Sequence, residues 1–173
     1  MIDTSTIAPQ AHAHFHQQEY HKAIGEFLQA ISQQNEIVEN NDVVYALKND
    51  LAVAYLFAGN FDKAISLLED CKSYYEKTQN HQQLATVYAN LASVYEKKQK
   101  TSQAISQYLR SLDHIIDAEE SQQQKYFIHY ELAKLYLKNF NFVKVYAHYV
   151  GAISYKTKKT LLDRIFLWIT TPR

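Results

Sequence analysis

The chain has 173 residues, of which 47% are hydrophobic and 21% are charged, an ordinary composition for a globular protein. Its three glycines and two prolines argue against a β-sandwich, a β-barrel or a collagen-like chain. Eighteen basic residues balance eighteen acidic ones, and no RNA-binding motif is present, so we expect no nucleic-acid partner.

Apolar side chains at three- and four-residue intervals predict four pairs of helices joined by short turns. The first helix is expected to end near Gln17 and its partner to begin near Glu19. The second pair turns at Gly59, because glycine suits the left-handed conformation just past a helix end. Thr101 is predicted to cap the second helix of the third pair, and Ser121 opens the fourth pair. The apolar stripe of the last of these helices consists of Phe142, Val145, Tyr146, Tyr149 and Ile153.

One segment pattern recurs along the whole chain. Its anchor residues Ala23, Ala64, Ala104 and Val145 lie 41, 40 and 41 residues apart. A fixed period in this range indicates a stacked repeat protein, in which each repeat buries its apolar face against its neighbours.

The pattern Leu-Ala-x-x-Tyr, then Gly or a polar residue, then an aromatic residue and Ala-Ile, resembles the tetratricopeptide repeat. The period of about 40 residues is longer than the basic unit and is similar to the long-helix variety found in kinesin light chains, spindle-orientation adaptors and bacterial quorum-response regulators. The resemblance implies an all-α, right-handed superhelical solenoid. The matching residues are Leu51, Ala52, Tyr55, Gly59, Phe61 and Ala64; Leu91, Ala92, Tyr95, Gln99, Thr101 and Ala104; and Leu132, Ala133, Tyr136, Phe140, Phe142 and Val145.

We expect a single domain over residues 1–173. His14 stands where the family has Tyr, and Val145 where it has Ala, as is usual for terminal repeats with one face toward water. The predicted repeats cover residues 5–38, 42–78, 82–118 and 122–156, and a C-terminal helix covers 159–170.

The family binds peptides along a concave groove lined by the first helix of each repeat, so the resemblance implies a non-enzymatic adaptor with a protein or peptide partner and no cofactor. Catalytic motifs such as a phosphate loop or a nucleophile elbow are missing from the sequence. The groove positions implied are His12, His16, Asn49, Val53, Leu56, Asn90, Ser93, Lys97, Tyr130, Lys134 and Lys138.

Three of these positions have two interpretations. Asn90 either bonds the backbone of a bound peptide, as an amide both donates and accepts, or bonds a neighbouring helix. Lys134 and Lys138, one helical turn apart, either meet an acidic group of a partner or form a solvated face. The equivalents of Asn90 in the flanking repeats, Asp50 and Glu131, disfavour the terminal-carboxylate clamp of chaperone-binding relatives.

The N-terminal histidines suggest a metal site only weakly. His12 and His16 share a helix face, but no further ligand is placed near them by the sequence, so we expect no metal. His14 is expected to pack in the core. Cys71 stands alone, which excludes an intramolecular disulfide and a cysteine-based metal site.

The C-terminal segment Lys156–Ile169 combines lysines with apolar residues and Trp168. It is predicted either to cap the open end of the solenoid or to rest on an anionic membrane surface. The N-terminus lacks the basic and apolar regions of a signal peptide, and no stretch approaches the ~20 apolar residues that span a bilayer, so we expect a cytoplasmic protein.

Charge is unevenly distributed along the chain. Residues 1–70 carry three lysines against ten acids, and residues 71–173 carry fifteen basic residues against eight acids. In a solenoid this separation makes a long-range dipole that steers a charged partner or favours head-to-tail self-association; otherwise it is drift in surface composition.

Overall fold

The computed structural model describes residues 4–37, 41–116, 121–156, 158–161 and 163–164. These residues form eight α-helices and no β-strand, which confirms the predicted all-α architecture. None of these helices is long and apolar enough to cross a bilayer. The helices are α1 (Thr4–His16), α2 (Tyr20–Ile37), α3 (Asn41–Phe57), α4 (Phe61–Lys77), α5 (His81–Lys97), α6 (Thr101–His114), α7 (Gln122–Lys138) and α8 (Phe142–Tyr155).

The helices form four antiparallel hairpins that stack in sequence order. Each helix packs mainly against the helix before it and the helix after it, and α3 also contacts α5. Because helices distant in sequence do not pack together to any comparable extent in the described residues, the array is an open solenoid and not a closed bundle.

Small side chains lie where the two helices of a hairpin approach each other. Ala52 and Ala92 are fully buried, as are the anchors Ala64 and Ala104 on the partner helices. Large side chains fill the remaining space: Leu51 and Leu91 are buried, and Tyr55 and Tyr95 pack partly buried against the core. This alternation of small and large residues explains why the Leu-Ala-x-x-Tyr pattern recurs.

Cys71 lies in the core of the second and third repeats. Its Sγ atom is 3.5 Å from the carbonyl oxygen of Tyr45. Burial raises the pKa of the thiol to about 12, so Cys71 stays neutral and has the character of a packing residue.

Every hairpin turns through a residue in the left-handed conformation. Gln18, Gly59, Gln99 and Phe140 have φ angles of 64°, 79°, 58° and 54°, and they recur with the same spacing as the anchors. The amide after each of them donates to a carbonyl five residues earlier, for example Asn60 to Tyr55 at 2.8 Å. This bond satisfies an otherwise unpaired carbonyl at the helix end.

Two of the helices begin with asparagine caps. Asn80 Oδ1 accepts from the amide of Gln83 at 3.2 Å, and Asn141 Oδ1 accepts from the amide of Lys144 at 3.2 Å. The prediction that Thr101 caps α6 is wrong. Thr101 is the first residue of that helix, and the capping position holds Lys100, whose side chain makes no capping bond.

The apolar stripe predicted for α8 is only partly buried. Of its five residues, Ile153 is buried, Val145 is half-buried, and Phe142, Tyr146 and Tyr149 are exposed. The difference arises because α8 belongs to the last hairpin, so no following hairpin covers its outer side in the described part of the chain.

A new helical turn begins at Leu161. The Asp163 carboxylate accepts from the amide of Thr160 at 2.7 Å, and the amide of Asp163 donates to Thr160 Oγ1 at 3.2 Å. This reciprocal pair is a capping box. Of the helix predicted over 159–170, residues 162 and 165–170 lie outside the described residues.

A histidine pair joins the two helices of the fourth hairpin. The Nδ1 atoms of His129 and His148 are 3.0 Å apart, and the ring of Tyr155 stacks on His129 with centroids 5.7 Å apart. Gly151 makes room for the pair, because a Cβ atom there would lie 2.7 Å from His129 Nδ1. Burial, followed by the neighbouring His148, lowers the pKa of His129 to about 4.

The left-handed turns predict opposite effects for two substitutions. Gly59→Ala should lower the free energy of unfolding by about 1 kcal/mol, because an L-residue is strained there even though its Cβ would meet no atom within 4 Å. Gln99→Gly should raise it by roughly 0.5 kcal/mol, since relief of strain outweighs the entropy that glycine adds to the unfolded chain. Urea denaturation checks both, and equal signs for the two variants would contradict the explanation.

The histidine pair predicts a pH dependence of stability. The folded chain keeps His129 neutral, whereas the unfolded chain takes up a proton near the ordinary pKa of 6.5. Stability should therefore be complete above that pH and fall as the pH drops towards about 4. His129→Phe should flatten this slope in denaturation curves measured across that range. His21→Phe, at an exposed position of α2, is the control and should leave the slope unchanged.

Candidate functional site

The concave side of the stack contains an open cavity of about 620 Å³ between α3, α5, α6 and α7. The first helices of repeats two, three and four supply most of its wall, and α6 contributes one residue. The lining residues are Val53, Leu56, Phe57, Asn90, Ser93, Glu96, Lys97, Gln99, Tyr108, Phe127, Glu131, Lys134 and Lys138.

Most of the predicted groove residues meet at this cavity. Those that line it are Val53, Leu56, Asn90, Ser93, Lys97, Lys134 and Lys138. Asn49 lies beneath the surface as a buried side chain. Tyr130 is not part of the lining, and its ring stacks on Tyr126 with centroids 6.1 Å apart.

The cavity also contains two exposed aromatic side chains that the sequence analysis missed. Phe57 is 51% exposed and Phe127 is 43% exposed, although both are large and apolar. Phe57 is the counterpart of Lys97 and Lys138 in the other repeats. Phe127 lies four residues before Glu131 and so shares its helix face. The predicted Leu56 lies one residue before Phe57, and the predicted Tyr130 lies one residue before Glu131.

A row of polar side chains crosses the concave side from α1 to α5. Asn90 Nδ2 donates to Asn49 Oδ1 at 2.9 Å, and His12 Nε2 lies 3.4 Å from the Asp50 carboxylate. Burial raises the pKa of Asp50, and the nearby His12 and a hydrogen bond from Asn49 partly offset this rise. Asn90 thus bonds a neighbouring helix, one of its two predicted roles, while it also lines the cavity.

Ion pairs occupy the side of the cavity formed by α7. Lys134 Nζ lies 2.6 Å from the Glu131 carboxylate, and Lys138 Nζ lies 3.6 Å from that of Glu96. Burial tends to lower the pKa of Lys134, but the hydrogen bond and charge of Glu131 outweigh it and the pKa is raised. Lys97 is exposed and has no ion-pair partner in the described residues, so its charge is available to a ligand.

The floor of the cavity is a hydroxyl pair. Ser93 Oγ and the Tyr108 hydroxyl are 3.1 Å apart, and the ring of Tyr108 is fully buried. Burial raises the pKa of Tyr108, so this hydroxyl stays neutral and acts as a hydrogen-bonding group.

The concave surface continues towards the N-terminus in a smaller cavity of about 70 Å³. Val53 lines both cavities, and His12 and Asp50 line the smaller one. His16, the other histidine predicted for the groove, lines neither, and its ring contacts Phe15 with centroids 6.0 Å apart.

The remaining histidine of this region holds two helices together. His14 Nδ1 lies 2.8 Å from the Glu26 carboxylate, and its Nε2 lies 3.6 Å from that of Glu19. Across the described part of the chain, no three His, Cys, Asp or Glu side chains converge as metal ligands.

Two lysines of the predicted membrane-docking segment Lys156–Ile169 bond within the chain. Lys156 Nζ donates to the Asp163 carboxylate at 2.8 Å, and Lys159 Nζ donates to the carbonyl oxygen of Ser154 at 3.1 Å. The hydrogen bond from Lys156 is the main cause that lowers the pKa of Asp163 to about 2. Trp168 lies outside the described residues.

The repeat geometry agrees with a family comparison. Residues 42–115 match the family model of the tetratricopeptide repeat. Residues 42–115 are therefore tetratricopeptide repeats. No curated protein sequence matches it significantly.

Solved structures with the same fold share little sequence with this chain. BtubC (BKLC) from P. vanneervenii superposes with a TM-score of 0.77 at 19% identity, covering 94% of this chain and 69% of that one. A putative kinesin light chain from Podosopora anserina, described as having nearly identical TPR-like repeats, gives 0.75 at 18% identity, covering 96% and 86%. These similarities show the fold alone.

The bond between Asn90 and Asn49 predicts a coupled effect on stability. Asn90→Ala should lower the free energy of unfolding by about 1–2 kcal/mol, because it leaves the buried Asn49 oxygen without its donor. A double-mutant cycle with Asn49→Ala, measured by urea denaturation, should show a coupling of about 1 kcal/mol. A coupling near zero would show that the two amides act independently.

Proposed function

We propose that this chain is a non-enzymatic adaptor whose groove holds a segment of a protein partner. Tetratricopeptide repeats are in general protein–protein interaction modules. The observation that carries the proposal is the open cavity of about 620 Å³ with Phe57 and Phe127 exposed to it.

The two phenylalanines supply the driving force. Full burial of an exposed phenylalanine side chain contributes roughly 1.5–3 kcal/mol, and because Phe57 and Phe127 are 51% and 43% exposed, covering each contributes about half of that. Phe57 lies on α3 and Phe127 on α7, so a segment that covers both must cross the face of α5. Such a segment is an extended strand or a helix of the partner that lies along the groove.

The charges of the groove favour an acidic group in that segment. Lys97 has no ion-pair partner in the part of the chain that the structure describes, and Lys138 is only loosely paired with Glu96 at 3.6 Å. An acidic residue of the partner beside Lys97 gains an ion pair without breaking one inside the groove. Glu96 and Glu131 repel a segment rich in acids, so the groove selects apolar residues with a single acidic flank.

The polar groups in the groove are suited to binding a ligand and not to catalysis. Tyr108 is kept neutral, Asn90 is anchored on Asn49, and Glu131 is engaged by Lys134. None of these contacts joins a nucleophile to a general base, which covalent catalysis would need.

Partner capture from the native cell tests the groove. The untagged protein is compared with Phe127→Ser and Lys97→Glu, and the captured partner is identified by mass spectrometry. The purified partner is then titrated calorimetrically, and each groove variant should raise its dissociation constant at least about tenfold, since each loses an apolar or a charged contact.

Two surface variants serve as matched controls. Leu109→Ser removes an exposed apolar side chain from α6, and Lys77→Glu reverses the last residue of α4, as Lys97→Glu does in α5. Both lie outside the cavity and should leave the affinity unchanged. Equal affinity for the groove variants, or equal losses for the controls, would exclude the groove as the binding surface.

A further inference from the structure

The turns within the four hairpins lie along one edge of the solenoid. Two contacts link neighbouring turns: Lys98 Nζ lies 2.6 Å from the Asp62 carboxylate, and Lys138 Nζ lies 3.6 Å from that of Glu96. The last two turns therefore form one continuous surface. We call it the turn edge, and it consists of Lys98, Lys100, Leu137, Lys138, Phe140, Phe142, Val143 and Lys144.

The turn edge is basic. Its four lysines face two carboxylates, those of Asp62 and Glu96, which pair with Lys98 and Lys138. Lys100 and Lys144 are exposed and have no carboxylate partner among the described residues. Lys144 Nζ lies 3.4 Å from the Tyr136 hydroxyl and 4.9 Å from the centroid of its ring, contacts that leave its charge unneutralised.

The tip of the turn edge is apolar and open. Phe140 is 79% exposed, Phe142 is 63% exposed and Val143 is 80% exposed, and Leu137 beside them is also exposed. Contiguous apolar side chains with exposures this high mark an interaction surface, because isolated exposed residues are normal but clusters are not.

The backbone conformation of the turn does not explain why these residues are apolar. Phe140 has a φ of 54°, and the same position holds glutamine or glycine in the other three hairpins. A bulky residue is strained in this conformation, and an exposed phenyl ring gains nothing from solvent. Val143 likewise stands where the second and third hairpins have Asp62 and Ser102. The positive φ at Phe140 and the solvent exposure of both Phe140 and Val143 thus favour other residue types.

The aromatic residue that follows the turn packs against the protein in the first two repeats but not in the fourth. Tyr20 stacks on Phe57 of the next hairpin with centroids 5.6 Å apart, and Phe61 packs on the core. Phe142, at the same position, remains mostly exposed. The fourth turn therefore projects three apolar side chains from a basic edge.

We propose that the turn edge docks on the surface of an anionic phospholipid bilayer. Phe140, Phe142 and Val143 enter the headgroup region, where aromatic rings are favoured, and Lys100 and Lys144 face the lipid phosphates. Neither element suffices alone, because peripheral binding needs apolar insertion together with electrostatic attraction.

A second copy of the chain fits this surface less well. Head-to-tail stacking would bring the fourth hairpin towards α1. The exposed residues of that helix include Gln10, His12 and His16, and none of its residues is acidic. The surface offered by α1 therefore matches neither the apolar tip nor its lysines.

Sedimentation with vesicles tests the proposal. The full chain is mixed with vesicles of phosphatidylcholine alone and with vesicles that contain roughly a third phosphatidylserine. Binding should occur only to the anionic vesicles and should weaken as salt is raised. The variant Phe140→Gln/Phe142→Thr/Val143→Ser gives the fourth turn the residues of the third, so it keeps a turn chemistry that this chain already folds. It should weaken binding at least about tenfold.

Charge variants test the lysines of the turn edge separately from its apolar tip. Lys100→Glu/Lys144→Glu should weaken binding similarly, and Lys77→Glu, at the opposite edge, should weaken it far less. Lys100 and Lys144 do not line the groove. Phe127→Ser, a groove variant, should leave vesicle binding intact, so vesicle binding is tested independently of the proposed adaptor function. Circular dichroism confirms that each variant is folded.

Four outcomes would overturn the proposal. The first is that the natural chain does not bind anionic vesicles, and the second is that it binds neutral vesicles equally well. The third is undiminished binding by the triple variant, with a blue shift of Trp168 fluorescence that assigns docking to Lys156–Ile169. The fourth is self-association by sedimentation velocity that the triple variant abolishes, which would make a second copy the occupant of the tip.

Discussion

The close approach of two helices over alanine is the contact on which the rest of the structure depends. Ala52 and Ala92 are fully buried on the first helix of their hairpins, and Ala64 and Ala104 are fully buried on the second. A larger side chain at any of these points would separate the helices and leave voids around the neighbouring leucines. Because each hairpin is held together in this way, the stack repeats with one geometry, and the first helices of successive hairpins face a common concave side.

The concave cavity is a consequence of that stacking. Successive first helices present the same register of positions, so Val53, Ser93 and Lys134 follow one another across the groove. The stack fixes where these positions lie but not which residues occupy them. Near α1 the lining includes His12 and the Asp50 carboxylate, whereas near α7 it includes Glu131, Lys134 and Lys138.

Some side chains both stabilise the stack and line the cavity. Asn90 holds α5 to α3 through Asn49 and also lines the cavity. The fourth hairpin shows the opposite case, because Phe140 and Val143 contribute little to folding and stand exposed. A repeat protein permits both, since each hairpin is stabilised by its neighbours and a single turn can change its residues without disturbing the others.

The sequence by itself determined the helices, their pairing and the period, because these depend on local spacing: alanine and tyrosine one turn apart, and a glycine after the first helix of the second hairpin. It also predicted that Val53, Ser93 and Lys134 share one register of the repeat, and all three line the cavity. Only the tertiary structure decided the partner of Asn90, the exposure of Phe57 and Phe127, and the exposure of the stripe on α8. The physical reason is that the depth of a side chain is set by the helix that packs on it. That helix lies some forty residues away in the sequence, and α8 has no following hairpin within the described part of the chain.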